Sequence, residues 1–142
     1  MIQVLTEKLW AYIAHNNPEL VLSLQENFSL TGYLQRKVKE ALPLAERLLD
    51  EGRPPYVIEE LCLNEMTAEL RPSKFQYIRA VLEEEYLQDF KRLREAGLVT
   101  YEVVNMIEAC KEVFEAFDFS EENEDNRHLR YAIIGQVHDY LP

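Results

Sequence analysis

The chain has 142 residues, 47% of them hydrophobic, and a formal net charge of −11. That length suits one domain with a core of its own, and no apolar run approaches the ~18 residues of a membrane span. The charge disfavours ordinary nucleic-acid binding, because a net-negative surface repels phosphate backbones.

The first helix is expected from about Gln3 to Asn16, with Ile2, Leu5, Leu9, Tyr12 and Ile13 inward and Trp10 beside them. Asn17-Pro18-Glu19 is a second helix start: Asn caps, Pro fits the first helical position, and Glu meets the positive helix end. The following Leu20–Leu24 is apolar nearly all round, as in a short buried helix. Asn27 to Gly32 reads as a turn. A third helix then runs from Ser29 or Gly32 to Glu51 and stops at Gly52, with a stripe of Leu34, Val38, Leu42, Ala45 and Leu49. Pro43 lies inside it, so a kink or a division at Leu42–Pro43 is expected.

Arg53-Pro54-Pro55 is a rigid linker into a helix from Tyr56 to about Leu70, presenting Ile58, Leu61 and Cys62. Pro72 ends it by holding Arg71 extended. From Ser73 to Gly97 the chain reads as one long helix. Ser73 and Gln76 form a capping box, Gly97 suits the left-handed residue past the end, and Phe75, Ile78, Leu82, Tyr86, Phe90 and Leu93 recur at helical spacing. Thr100 is a plausible cap for Tyr101–Phe117, whose seam is Val103, Ile107, Cys110, Phe114 and Phe117. Asp118 to Asp125 is acidic and reads as a mobile loop. The last helix, about Asn126 to Tyr140, packs Leu129, Ile133, Val137 and Tyr140, and Gly135 in its middle suggests a close helix contact. No stretch sustains a period of two. The expected fold is all-α: a compact bundle of six or seven helices around the long helix at about 73–96, in a single domain over 1–142. Tyr33-Leu-Gln35 recurs as Tyr86-Leu-Gln88, but the residues after each do not align, so the chain reads as non-repetitive.

The residues carry no signature of catalysis or of a cofactor. There is no Gly-x-Ser-x-Gly and no Gly-rich phosphate loop, no Cys-x-x-Cys, and no Glu-x-x-His pair for a di-iron bundle. His128 and His138 fall on different helix faces. Glu124 and His128 would face together only in a helix that starts early. Glu85 and Asp89 could form an acid/base pair, but Lys91 and Arg92 within reach favour a solvated flank. Cys62 and Cys110 read as buried reduced thiols. No catalytic, cofactor or metal site is expected.

Charge is the one uneven feature. Residues 98–142 hold three basic and ten acidic side chains, −7 of the total −11. The candidate partner surface is Glu108, Glu112, Glu115, Asp118, Glu121, Glu122, Glu124 and Asp125, suited to docking a basic protein or to keeping the chain soluble. Two basic clusters, Arg36, Lys37, Lys39 and Lys91, Arg92, Arg94, support the alternative of a nucleic-acid-associated factor. An enzyme without a recognisable motif is the third reading. A monomer or weak homodimer is expected. The N-terminus lacks the basic start and apolar core of a signal peptide, so a cytoplasmic location is expected.

Leu9-Trp10-Ala-Tyr12, Asn16-Asn-Pro-Glu19, Gly32-Tyr-Leu34, Pro54-Pro55-Tyr56, Glu59-Glu60-Leu61 and Phe114-Glu-Ala-Phe117 together span most of the chain. In these segments the chain resembles a family of small all-helical proteins of unknown function from Bacteroidetes, often encoded on conjugative elements. The resemblance implies a bacterial cytoplasmic accessory protein and supplies no activity, cofactor or catalytic residue.

Overall fold

Proline and apolar spacing set the first half of the chain. The computed structural model describes all residues, Met1–Pro142. Helix α1 (Ile2–Asn16) buries Leu5, Leu9 and Ile13 at steps of four. Asn17 leaves helical geometry, at φ −138° and ψ 54°, and Pro18 opens α2 (Pro18–Glu26) at a position whose backbone donor would be unused anyway. Helix α3 (Leu30–Asp50) continues through Pro43 without dividing. The proline is on the exposed side, where the Lys39 carbonyl that it leaves without a donor can turn to water. Helix α4 (Pro55–Met66) buries Ile58, Cys62 and Met66 and is followed by a 3-10 turn, Ala68–Leu70.

The second half contains α5 (Lys74–Glu85), α6 (Leu87–Glu95), α7 (Val99–Ala109), α8 (Lys111–Phe117) and α9 (Arg127–Tyr140). Nine α-helices and no strand result, so the all-α expectation holds while the helix number was too low. The long helix expected at about 73–96 is two. Tyr86 breaks it at φ −133° and ψ 52°, with no glycine or proline nearby. The break is held from outside: the Tyr86 hydroxyl donates to the Ile134 carbonyl of α9 at 3.1 Å, and Arg130 of α9 donates to Glu84 and Glu85 at 2.8 and 2.9 Å. The expected inner face survives, with Phe75, Ile78, Leu82, Phe90 and Leu93 buried.

The helices group into two compact units, Met1–Arg71 and Pro72–Pro142. Each has its own apolar core, around Leu9, Ile13, Ala41 and Cys62 in the first and around Ile78, Leu82, Phe114 and Ile133 in the second.

The two units share one plan. In the first, α1 packs on α2, α3 and α4, and α3 packs on α4; in the second, α5 packs on α6, α7 and α9, and α7 with α8 packs on α9. The correspondence holds residue by residue at an offset of 69. The helix break at Asn17 matches that at Tyr86, 69 positions on, with φ and ψ within a few degrees. The buried pairs Leu9 and Ile78, Ile13 and Leu82, Val21 and Phe90, and Ala45 and Phe114 keep the same offset. Both turns after these paired helices close in the same way. Ser29 donates to Leu24 and Leu98 to Leu93, each at 2.8 Å, with a left-handed residue between, Phe28 in one and Gly97 in the other. These are Schellman ends. On the last helices Ile58, Cys62 and Met66 answer to Leu129, Ile133 and Val137, now 71 positions on, because the preceding loops differ in length. The chain is therefore a structural repeat, against the non-repetitive reading. The Tyr-Leu-Gln recurrence lies 53 positions apart and is unrelated to it.

Other local expectations are corrected by packing. The α3 stripe is turned: Val38, Ala41, Ala45 and Leu48 are buried, while Leu49 is 67% exposed. Small Ala41 admits α4 closely, with Cys62 Sγ 4.0 Å from its carbonyl. The helix after Gly97 begins at Val99, one residue before the expected Thr100 cap, because the Schellman turn delivers Leu98 directly into it. It divides at Cys110, which is fully buried. Ser73 caps α5 as expected, accepting from the Gln76 amide at 3.0 Å.

Gly135 makes no close helix contact; a Cβ there would meet nothing within 4 Å. Its helical backbone then carries only the entropy cost of glycine. Gly135→Ala is expected to stabilise the protein by about 0.5–1 kcal/mol, read as a higher midpoint in urea with unchanged slope.

Candidate interaction surface

The acidic residues singled out in the sequence sit on α7, α8 and the segment after them. Glu108 lies near the end of α7, and Glu112 and Glu115 lie on α8. The division at Cys110 buries that residue with Phe114 and leaves these three carboxylates exposed. Asp118 ends α8 in the left-handed conformation, at φ 50°. Glu121, Glu122, Glu124 and Asp125 come next on consecutive turns, all exposed.

The segment expected to be a mobile loop is tied down. Asn123 Nδ2 donates to the Phe117 and Asp118 carbonyls at 2.6 and 3.1 Å, and its Oδ1 accepts from the Ser120 amide at 2.8 Å. Phe119 anchors it from inside. Its ring lies 4.8 Å from that of Phe114 and 5.2 Å, edge-on, from that of Tyr77. Asn126 closes it by accepting from the His128 and Leu129 amides at the start of α9. An aromatic anchor below and an asparagine clasp in the backbone thus present the carboxylates on a fixed scaffold.

None of the eight carboxylates makes an ion pair. Six acids elsewhere do: Glu51 with Arg47 and Arg53, Glu69 with Lys37, Glu83 with Arg79, Asp89 with Arg92, and Glu84 and Glu85 with Arg130. Glu85 and Asp89, weighed in the sequence as an acid/base pair, are both among these paired acids. Each is held by a different arginine, on either side of the Tyr86 break.

The basic clusters are partly consumed in the same way. Lys37 bonds Glu69, Arg92 bonds Asp89, and the Arg94 guanidinium lies 5.8 Å over the Phe90 ring. Arg36 lies 5.6 Å over the Tyr33 ring. No group of three or more His, Cys, Asp or Glu side chains is placed to hold a metal ion. Both cysteines are free and buried, and burial pushes the Cys110 thiol up to about 11. Burial is also the main force raising the Tyr77 hydroxyl, which has no hydrogen-bond partner; Arg130 opposes the rise and Asp125 adds to it.

No helix is long and apolar enough to cross a membrane. Compared with protein-family models, curated proteins and solved structures, the chain matches none.

Proposed function

We propose that the chain is a non-enzymatic helical interaction module whose acidic surface, Glu108 to Asp125, docks a basic protein partner. The observation that carries this reading is density without neutralisation: the eight carboxylates are exposed, make no ion pair, and share the stretch 108–125 with a single basic residue, Lys111. A fixed, unneutralised field of one sign accelerates encounter with the opposite sign. The resemblance to the Bacteroidetes family adds a bacterial cytoplasmic accessory role, of mobile-element origin, to the same proposal.

The test is kinetic. Partners are captured from a native-host lysate on the immobilised protein and identified by mass spectrometry, and association of the main one is timed. Between about 0.1 M and 1 M salt the screening length falls from ~10 Å to ~3 Å, so the on-rate is expected to drop steeply. Replacing Glu108, Glu112 and Glu115 with Lys is expected to slow association at least tenfold while the circular dichroism spectrum stays unchanged. A salt-independent on-rate, or full-speed association of the triple variant, would remove the acidic surface from the function. Random-sequence duplex DNA is expected not to shift in a gel at about 0.15 M salt. A shift that disappears when Arg36, Lys37, Lys39, Lys91, Arg92 and Arg94 are neutralised would instead establish the nucleic-acid reading.

A further inference from the structure

We propose that two copies of this chain form a swapped dimer by straightening at Tyr86, so that α5 of each copy packs against α6, α7 and α9 of the other.

The two units build the same joint from different residues. At Asn17 and at Tyr86 the backbone leaves helical geometry by almost the same angles, φ −138° and ψ 54° against φ −133° and ψ 52°. The next residue is Pro18 in the first unit and Leu87 in the second. Proline prevents a continuous helix there, because its ring clashes with the carbonyl four residues back and its nitrogen carries no hydrogen. Leucine is among the better helix formers. The first joint is therefore fixed by its own residues and the second is not.

The residues around the second joint suit one helix. Ser73 caps the start at Lys74, and the next glycine is Gly97, beyond Glu95. Phe75, Ile78, Leu82, Tyr86, Phe90 and Leu93 share one face of a straight helix. The break leaves the first amides of α6 and the last carbonyls of α5 without helical partners. It also sets Glu83, Glu84 and Glu85 in the last turn of α5, at the negative end of the dipole. In a helix from Lys74 to Glu95 these glutamates lie in the middle, and Arg92 and Arg94 occupy the last turn.

A single copy cannot straighten and keep its core. Phe90 and Leu93 of α6 are buried in the same core as Ile78 and Leu82 of α5, and a straight joint would carry them away from it. A second copy removes the conflict. Its α6, α7 and α9 present the surfaces on which α5 already packs within one chain. Arg130 then bonds Glu84 and Glu85 of the other copy instead of its own. No new groove or complementary patch is required, since every contact except the joint is one the chain makes by itself. A connection of one residue invites such exchange, because it cannot bend and keep helical hydrogen bonding at the same time. The exchange is reciprocal, so it closes at two copies.

The full chain at about 1 mM is warmed to just below its unfolding midpoint, cooled, and separated by size exclusion. A dimer is expected that, once isolated, reverts to monomer slowly, because exchange requires the second unit to open. Leu87→Pro gives the second joint the residue of the first. It is expected to cut the dimer yield at least tenfold while the monomer keeps its helix content. Tyr86→Ala removes the hydroxyl that holds the bend against α9 and puts the best helix former at the joint. It is expected to raise the yield at least threefold. The exchange itself is read from Glu84→Cys combined with Arg130→Cys, treated with a short bismaleimide in the isolated dimer. Both side chains reach solvent, and the link is expected to join two chains. A wild-type chain that forms no dimer, a dimer yield unchanged by Leu87→Pro, a Leu87→Pro chain that does not fold, a Tyr86→Ala yield at or below wild type, or a link confined to single chains would overturn the proposal. The acidic carboxylates on α7 and α8 take no part in the joint, so these results stand or fall separately from the docking proposal.

Discussion

Leu82→Ala is expected to destabilise the protein by about 2–5 kcal/mol, and Phe114→Ala by about 3–5 kcal/mol. Both side chains are essentially without solvent contact in the core of the second unit, Leu82 at 0% and Phe114 at 2% exposure. The loss has two parts, the transfer free energy of the deleted atoms and the void they leave. Phe114 adds a third, since its ring packs against those of Tyr77 and Phe119 at 5.9 and 4.8 Å. The internal repeat extends the expectation: Ile13, the counterpart of Leu82 and equally buried, should show a loss of the same size. Glu84→Ala removes one exposed pair with Arg130, which keeps Glu85, and should cost less than about 1 kcal/mol. Urea titrations measure all four. A Glu84 variant as damaging as Leu82→Ala would mean that the buried face has been misassigned.

Separated halves give the second large effect. Fragments Met1–Arg71 and Pro72–Pro142 are each expected to be helical and to melt cooperatively, because each contains a complete core and the helices that enclose it. Domains of this length are marginal, since a small chain buries a smaller share of its surface. The fragments should therefore melt below the whole protein, within reach of circular dichroism near room temperature. A fragment that stays unfolded while the full chain folds would show that one half depends on the other. The single cooperative domain expected over 1–142 would then be the true folding unit.

Much of the helical layout was legible locally. Pro18, Pro55, Pro72, Gly52 and Gly97 mark boundaries because proline lacks a donor and glycine tolerates positive φ, whatever the rest of the chain does. The inner faces of α5, α6 and α9 came from spacing alone, and so did that of α1 except for Ile2, expected inward but 59% exposed. The eight acidic positions were visible as well, since charge is a property of composition. Their lack of ion pairs was not, because pairing depends on which arginines the fold brings near.

The repeat shows the limit most clearly. Leu24 and Leu93, Glu26 and Glu95, and Thr31 and Thr100 are among its few identical pairs. A core position requires an apolar side chain of suitable volume rather than a particular residue. Leucine can thus answer to isoleucine, valine to phenylalanine and alanine to phenylalanine, and the common plan leaves almost no trace in the letters.

The sequence by itself determined that this protein is all-helical, where most of its helices begin and end, and that its negative charge gathers in the last third. Those features arise from backbone stereochemistry, hydrophobic period and composition, which act within a few residues. Only the tertiary structure decided that the helix at 73–96 breaks at Tyr86, that the loop after α8 is pinned by Asn123 and Phe119, and that two units share one plan. In the first unit a proline marks the break after Asn17. In the second nothing local does, and the bend is held by a tyrosine hydroxyl and two glutamates reaching α9, nearly fifty residues further along the chain.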